Sequence, residues 1–320
     1  MDRVPFLNVL KDVVGTLNES RKLFLKNKKL MFSVLVFPLL LNGLVYLFTV
    51  LAIKPEITNL IQESNLLPMM DPSSPEYIAQ LMRVFADFRQ FVVSSYFFST
   101  VSFVIKLLSV LIIVHASALT HKDENVNLRD FPVLTLKSWK GPLVTYFYIS
   151  LFSLGYWFLF FIILFPLLLL SSNFSSLATK SWSLFVLFAL FESYLAIVWY
   201  LSLVISILEE TYGFQALGKA AKIVKGMKPQ LFLLNVIFGL LCFGLAQVVR
   251  LVDLRWSFAV TLTTGLVLVG SIFAVRMFQL VIYTVAYFQC KSLRGQDIES
   301  LRDVEYTKLS STSLIGAALP

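Results

Sequence analysis

The sequence is poor in charge, histidine and cysteine. Charged residues make up 14% of its 320 positions, against roughly 25% in a soluble globular domain. Only two histidines occur, His115 and His121, and no HExxH pair, so the ligand set of a zinc hydrolase is missing. Two cysteines, Cys242 and Cys290, provide no paired metal spacing, and neither falls in an outer loop of the topology derived below. No GxSxG nucleophile turn is present. The nearest approach to a phosphate-binding loop is residues 213–220, GFQALGKA. It is one residue short and has Ala220 where a magnesium-binding hydroxyl belongs, and its apolar spacing is that of an amphipathic helix without a preceding strand. The carboxylate pair Glu209-Glu210 falls at the end of an apolar run and is expected to face solvent. These absences predict a non-enzymatic protein with no cofactor and no metal.

What is abundant is apolar. Hydrophobic residues reach 58%, phenylalanine alone occurs 30 times and the mean hydropathy is +0.79. One soluble core cannot hide that excess, so lipid is the expected solvent for much of the chain. A span needs about 20 mostly apolar residues to cross a hydrocarbon core roughly 30 Å thick. Six stretches qualify, at about 30–53, 94–118, 143–171, 183–207, 231–250 and 257–289. They are continuously apolar, not alternating, which predicts helices over barrel strands. The fold class expected is therefore all-α, a polytopic bundle of six transmembrane helices. The expected domains are a cytosolic amphipathic segment at 1–29, the six-span domain at 30–289 and a cytosolic tail at 290–320. Residues 1–29 are polar and the first run is too long for a signal-peptide core, so no cleaved signal is expected. Pro38 and Pro166 lie inside spans as expected kinks.

Orientation follows from the bases. Of the 27 Lys and Arg, 19 fall in the N-terminal segment, the second and fourth loops and the tail, and six fall on the opposite side. The positive-inside rule then places both termini in the cytosol. Counted this way, the net charge of +8 is a basic cytosolic face. Lys26, Lys28, Lys29, Lys137, Lys140, Lys222, Lys225 and Lys228 are the expected contacts for anionic lipid headgroups, and nucleic acid is not an expected partner. Trp139, Trp182 and Trp256 fall at the proposed interfaces. The sequon at Asn173 falls in the second outer loop.

Each pair of spans is introduced by a basic segment with helical apolar spacing, which suggests a threefold repeat of surface helix plus hairpin. The first runs over 5–29 and the third over 213–228, where Phe214, Leu217, Ala221 and Val224 are expected to line the apolar face. The second, 128–140, is interrupted by Pro132. In the outer loop 54–93, Ser74, Pro75 and Glu76 form a helix start. Ile78, Leu81, Met82, Phe85 and Phe88 follow on one face, expected to lie on the outer leaflet or cap the bundle.

Three ionisable side chains fall inside the spans: Lys106, Glu192 and Arg276. At mid-membrane each costs at least ~2.5–3.5 kcal/mol on insertion scales, so each is a candidate site. Lys106 lies 12 residues into its span, about 18 Å deep, and Glu192 nine residues, about 14 Å, both entering from outside. These depths predict a Lys106–Glu192 intramembrane pair, with Arg276 near the inner interface and snorkelling. The pair is read either as a helix-register contact or as the charge pair of a transporter or channel for a small solute or ion. The last stretch, about 33 residues, exceeds one hydrocarbon core. Its end, including Leu280, Val281, Ile282, Val285 and Phe288, is expected to dock on the cytosolic surface helices.

The segments 17–29, LNESRKLFLKNKK, and 209–226, EETYGFQALGKAAKIVKG, resemble a family of six-span plant membrane proteins that brings no established activity. The second segment is also similar to the non-catalytic membrane domain fused to some glycerophosphodiester phosphodiesterases. The resemblance implies an all-helical membrane module without catalytic residues to carry over. The expectation that follows is a scaffold, assembly factor or lipid-contacting module of the endomembrane or plasma membrane, with other membrane proteins as its candidate partners. The alternative is transport through Glu192 and Lys106.

Overall fold

The computed structural model describes residues 4–122, 139–169, 174–209, 211–251 and 258–315. Among them the secondary structure is helical, with no strand. The helices are α1 (Val4–Lys26), α2 (Lys28–Leu66), α3 (Pro75–His121), α4 (Lys140–Leu169), α5 (Phe174–Leu208), α6 (Phe214–Ile223), α7 (Lys228–Leu251) and α8 (Phe258–Ile315). Short 3-10 turns follow α2 at Leu67–Met69 and α6 at Val224–Gly226. Six helices, α2, α3, α4, α5, α7 and α8, are long and apolar enough to cross a membrane. They coincide in number and order with the six apolar runs. A helix satisfies every backbone group within its own segment, which a lipid solvent requires.

The helices are longer than the runs that predict them. The first span and the first third of the outer loop form one helix of 39 residues, α2, which continues through Pro38 and Pro55. The expected outer-loop helix does start at Pro75, where the Tyr77 amide donates to Ser74 Oγ at 3.1 Å. It does not end before the second span. With no proline after Pro75 and no glycine, α3 runs on for 47 residues, about 70 Å. Likewise α8 spans 58 residues and takes in most of the expected tail.

The chain divides into two compact units, neither of which follows the threefold pattern. One comprises residues 28–116 and 240–278. Here α2 and α3 form a hairpin whose turn is organised by Asp71. Its Oδ1 accepts from the Ser73 amide at 3.0 Å and from Ser73 Oγ at 2.8 Å. Those two bonds hold the Asp71 carboxyl below its ordinary pKa. Between the legs, Glu56 Oε1 accepts from Ser94 Oγ at 2.9 Å, and Gln80 Nε2 donates to the Glu63 carbonyl. Thus buried Gln80 faces the partner helix, while Ile78, Met82, Phe85 and Phe88 point outward as an exposed stripe. The apolar face expected from the sequence exists, but α3 does not use it to cover α2. In the same unit α8 approaches α2 at glycines. A Cβ on Gly43 would sit 3.3 Å from Leu266 Cδ1, and one on Gly265 would overlap the Tyr46 ring. Small residues at such crossings bring helices together where lipid supplies no hydrophobic drive.

The other unit comprises residues 1–27, 117–239 and 279–320. It holds α1, all of α4, α5 and α6, and the core of Leu201, Val204, Ile205, Leu231, Leu234, Ile282 and Tyr283. Val13, Thr16, Ser20 and Leu23 give α1 a buried stripe at helical spacing. The expected apolar face of α6 is in a different register. Ala216 and Ala220 are its buried residues, followed by Val224 in the 3-10 turn, while Phe214 is exposed and lies tilted against the Tyr148 ring and edge-on to Phe152 of α4. Alanines permit close helix approach, so packing selects the small face over the face carrying the large aromatic. The second expected surface helix, residues 128–140, lies outside the described residues except at its last two positions, Trp139 and Lys140, as do Asn173 and Trp256.

Candidate functional site

Polar side chains concentrate inside the unit of α4 and α5, in three groups. The deepest joins α5, α7 and α8. Asn235 Oδ1 accepts from Gln279 Nε2 at 2.9 Å and from Tyr283 Oη at 2.8 Å, and Asn235 Nδ2 donates to the Ser193 carbonyl at 2.8 Å. The side chains of Asn235, Gln279 and Tyr283 are all buried. Tyr200 lies beside Tyr283 with ring centroids 5.1 Å apart. Asn235 is placed by the apolar turns of α7 around it, Leu231 and Leu234, which are themselves buried. With its carbonyl oxygen bonded twice, this knot fixes the register of three helices.

The second group pins α6. Glu209, just past α5, has a side chain only 14% exposed. It accepts from Tyr287 Oη, is paired with Lys219 of α6, and has Lys291 Nζ at 3.5 Å. Burial alone pushes the Glu209 carboxyl up. The bonds from Lys219 and Tyr287 and the charges of Lys219 and Lys291 outweigh it and hold the group below its ordinary pKa. Glu209 therefore does not face solvent as expected; the cations of α6 and α8 enclose it. Glu210 is outside the described residues. The turn into α6 is made at Gly213, whose φ of +63° favours glycine. Its amide donates to buried Thr145 Oγ1 at 2.9 Å. The phosphate-loop look-alike is thus a helical turn closed on α4.

The third group pins α1. Gln230 Nε2 of α7 donates to Thr16 Oγ1 and, at 3.1 Å, to the Asp12 carbonyl. Gln289 Nε2 of α8 donates to Glu19 Oε2 at 2.5 Å. Helix α1 is therefore tied directly to α7 and α8, and α6 is tied to Glu209, whose carboxylate also meets Tyr287 and Lys291 of α8. Within α8, Leu280, Val281, Ile282 and Val285 are all buried.

The residues singled out by sequence are placed as follows. Glu192 is half-buried on α5, one turn after Phe188, whose carbonyl accepts from the Tyr156 hydroxyl of α4 at 2.6 Å. Lys106 is exposed on α3 and Arg276 is exposed on α8; both belong to the other unit. Of the expected headgroup lysines, Lys26, Lys28, Lys29, Lys140, Lys222 and Lys225 are exposed. Lys228 donates to Tyr194 Oη at 2.9 Å, with its ammonium 5.4 Å from that ring's centroid. Lys137 lies outside the described residues. A scan for ionisable groups alone passes over Asn235, Gln279, Thr16 and Gln230. The signal that finds them is an uncharged amide or hydroxyl in an otherwise apolar run.

The family model of a domain of unknown function, DUF8558, matches residues 1–306, and the chain belongs to that family. No curated protein and no solved structure matches it.

Proposed function

From a family that brings no activity to transfer, and from the way the amphipathic helices are held, we propose that the protein is a non-enzymatic membrane scaffold that grips the lipid headgroup layer. In this reading both termini are cytosolic, the membrane belongs to the endomembrane system or the cell surface, and α1 and α6 form the gripping elements. The observation that carries it is the division of α1 into three faces. At 3.6 residues per turn, Val13, Thr16, Ser20 and Leu23 share one side, which is buried. Leu7, Leu10 and Val14 share a second side, roughly 130° away, and are exposed. Lys11, Lys22 and Lys26 share the third and are exposed too. A soluble amphipathic helix needs only two faces, one toward protein and one toward water. A third face, apolar and uncovered beside a basic one, suits a helix lying against a bundle with its flank in an anionic leaflet. Phe214, Lys222 and Lys225 give the α6 segment the same pairing of an exposed aromatic with bases.

The test uses the full chain in vesicles of phosphatidylcholine with and without phosphatidylserine. A fluorophore at Leu10→Cys should be quenched by lipids carrying a quencher near the headgroup. Replacing Lys11, Lys22 and Lys26 by Gln should remove part of the thermal stabilisation by phosphatidylserine. A label at position 10 that water-soluble quenchers reach freely, with no lipid quenching, refutes the reading. Solute flux in the same vesicles that vanishes on Glu192→Gln would replace it with transport.

A further inference from the structure

Two helices change character at a single exposed cation. Along α3, exposed side chains such as Tyr96, Phe97 and Val104 recur up to Lys106, which is exposed itself. From residue 107 to residue 120, 14 positions in a row, none is exposed. Along α8, Val260, Leu266 and Val267 are exposed and positions 268–275 are not, but among the described side chains only Leu268 is buried before Arg276, which is exposed; of the 14 positions 277–290 that follow it, 11 are buried and none is exposed. Fourteen residues are nearly four helical turns, about 21 Å. In α3 ten of these 14 are buried, whereas none from 81 to 106 is, so beyond each cation the helix packs mainly against protein.

We propose that Lys106 and Arg276 mark the inner edge of the hydrocarbon, each taking a phosphate of an anionic phospholipid headgroup, and that the protein-packed lengths beyond them lie outside the bilayer. Lys106 is the only charged residue of α3 between Arg89 and its end, histidines aside, and Arg276 is the only one of α8 before Lys291. Both are long, flexible cations of the kind that reach headgroups from a helix flank. The remaining lengths fit one bilayer. From Phe258 to Arg276 there are 19 residues, about 28 Å, close to the roughly 30 Å core. In α3 the same distance back from Lys106 falls between Arg83 and Arg89.

Chemistry at the far end agrees. Over residues 287–291 α8 meets the carboxylates of Glu19 and Glu209 through Gln289, Tyr287 and Lys291. Ionised carboxylates do not sit in hydrocarbon, so the edge falls before residue 287. Helix α5 repeats the pattern in its own unit. Its last exposed residue, Tyr194, is an aromatic of the interfacial type with Lys228 upon its hydroxyl, and positions 195–209 include no exposed side chain. This placement does not rest on the scaffold reading, since a transporter would have the same edge.

The test is a depth measurement on the full chain, with Cys242 and Cys290 replaced by Ala, in phosphatidylcholine–phosphatidylserine vesicles. Nitroxide labels go singly at positions 97, 106, 267, 276 and 291. Collision with oxygen should dominate at 97 and 267. Collision with a water-soluble nickel chelate should rise at least threefold at 106 and 276 relative to those two positions, and further at 291. Labels at 106 and 276 that read as deep as 97 and 267 would overturn the proposal and return Lys106 to mid-membrane. As a second measurement on unlabelled protein, Lys106→Leu with Arg276→Leu should lose at least half of the thermal shift that phosphatidylserine produces. An unchanged shift counts against headgroup contact.

Discussion

Asn235 is the residue whose removal distinguishes a hydrogen-bonded knot from a merely well-packed core. Replacing it with Leu keeps the branched shape and the number of heavy atoms and deletes three bonds. The Ser193 carbonyl loses little, because it lies within α5 and keeps its helical partner. The Tyr283 hydroxyl, by contrast, becomes a buried donor that has lost its acceptor, and Gln279 loses one bond. An orphaned buried group costs ~1–3 kcal/mol and a lost hydrogen bond about 1 kcal/mol, so the substitution should cost about 2–4 kcal/mol. Tyr283→Phe deletes only one bond and leaves Asn235 bonded to Gln279, for a cost of about 1 kcal/mol. The sharp consequence is the double variant. Adding Tyr283→Phe to Asn235→Leu removes the orphaned hydroxyl, so it should restore ~1 kcal/mol or more, although each change alone destabilises. Denaturant unfolding in detergent micelles, followed by the fluorescence of the five tryptophans, measures all three variants against the parent. If the double variant is as unstable as the sum of the single ones, Asn235 does not hold the Tyr283 hydroxyl and the knot reasoning fails.

Glu209 should make the docking of α6 acid-sensitive. Its folded pKa is depressed, so its contribution is complete above the ordinary carboxylate value of 4.5 and is lost as pH falls through the folded value. Hydrogen exchange of the α6 amides should therefore accelerate below about pH 4.5, whereas Glu209→Gln should exchange faster at neutral pH, by about 1–2 kcal/mol of protection, and show no such acid step; identical acid profiles would count against the clamp. Gly213→Ala should cost ~1–3 kcal/mol, because φ of +63° strains any L side chain. Adding Tyr148→Ala, which clears the ring 3.2 Å from the new Cβ, should not recover that loss if backbone strain is its cause; thermal unfolding of the pair decides.

The number and order of the spans were legible because twenty-odd consecutive apolar residues exceed what a soluble core asks of any one element. Their ends were not. Hydropathy reports that a residue avoids water and is silent on whether lipid or protein replaces it. The largely buried run 277–290 of α8 continues the apolar pattern of exposed Val260 and Val267, so a single 33-residue stretch was all that composition could define. Loop polarity misled in the opposite direction. Lys54, Glu56 and Glu63 read as an end to the first helix, yet Glu56 is used inside the hairpin by Ser94, and the helix continues to Leu66.

The polar groups were hidden for a related reason. An amide in an apolar run contributes little to a sequence scan that weighs charge, and Asn235 gains its role only when α7 brings it beside Ser193 and Gln279, 42 and 44 positions away. Glu209 illustrates the converse: charge made it visible, but position at the end of a span suggested water. What decides its surroundings is the turn at Gly213, which folds α6 back so that Lys219 returns to the carboxylate ten positions earlier. One glycine with positive φ thus converts a solvent carboxylate into the anchor of a surface helix. The same logic runs through α1, where Thr16 and Glu19 gain partners only because Gln230 and Gln289 arrive from beyond position 200. In a chain so apolar, the few polar side chains inside the fold set which helices meet and in what register, and apolar burial supplies the bulk of the contact they organise.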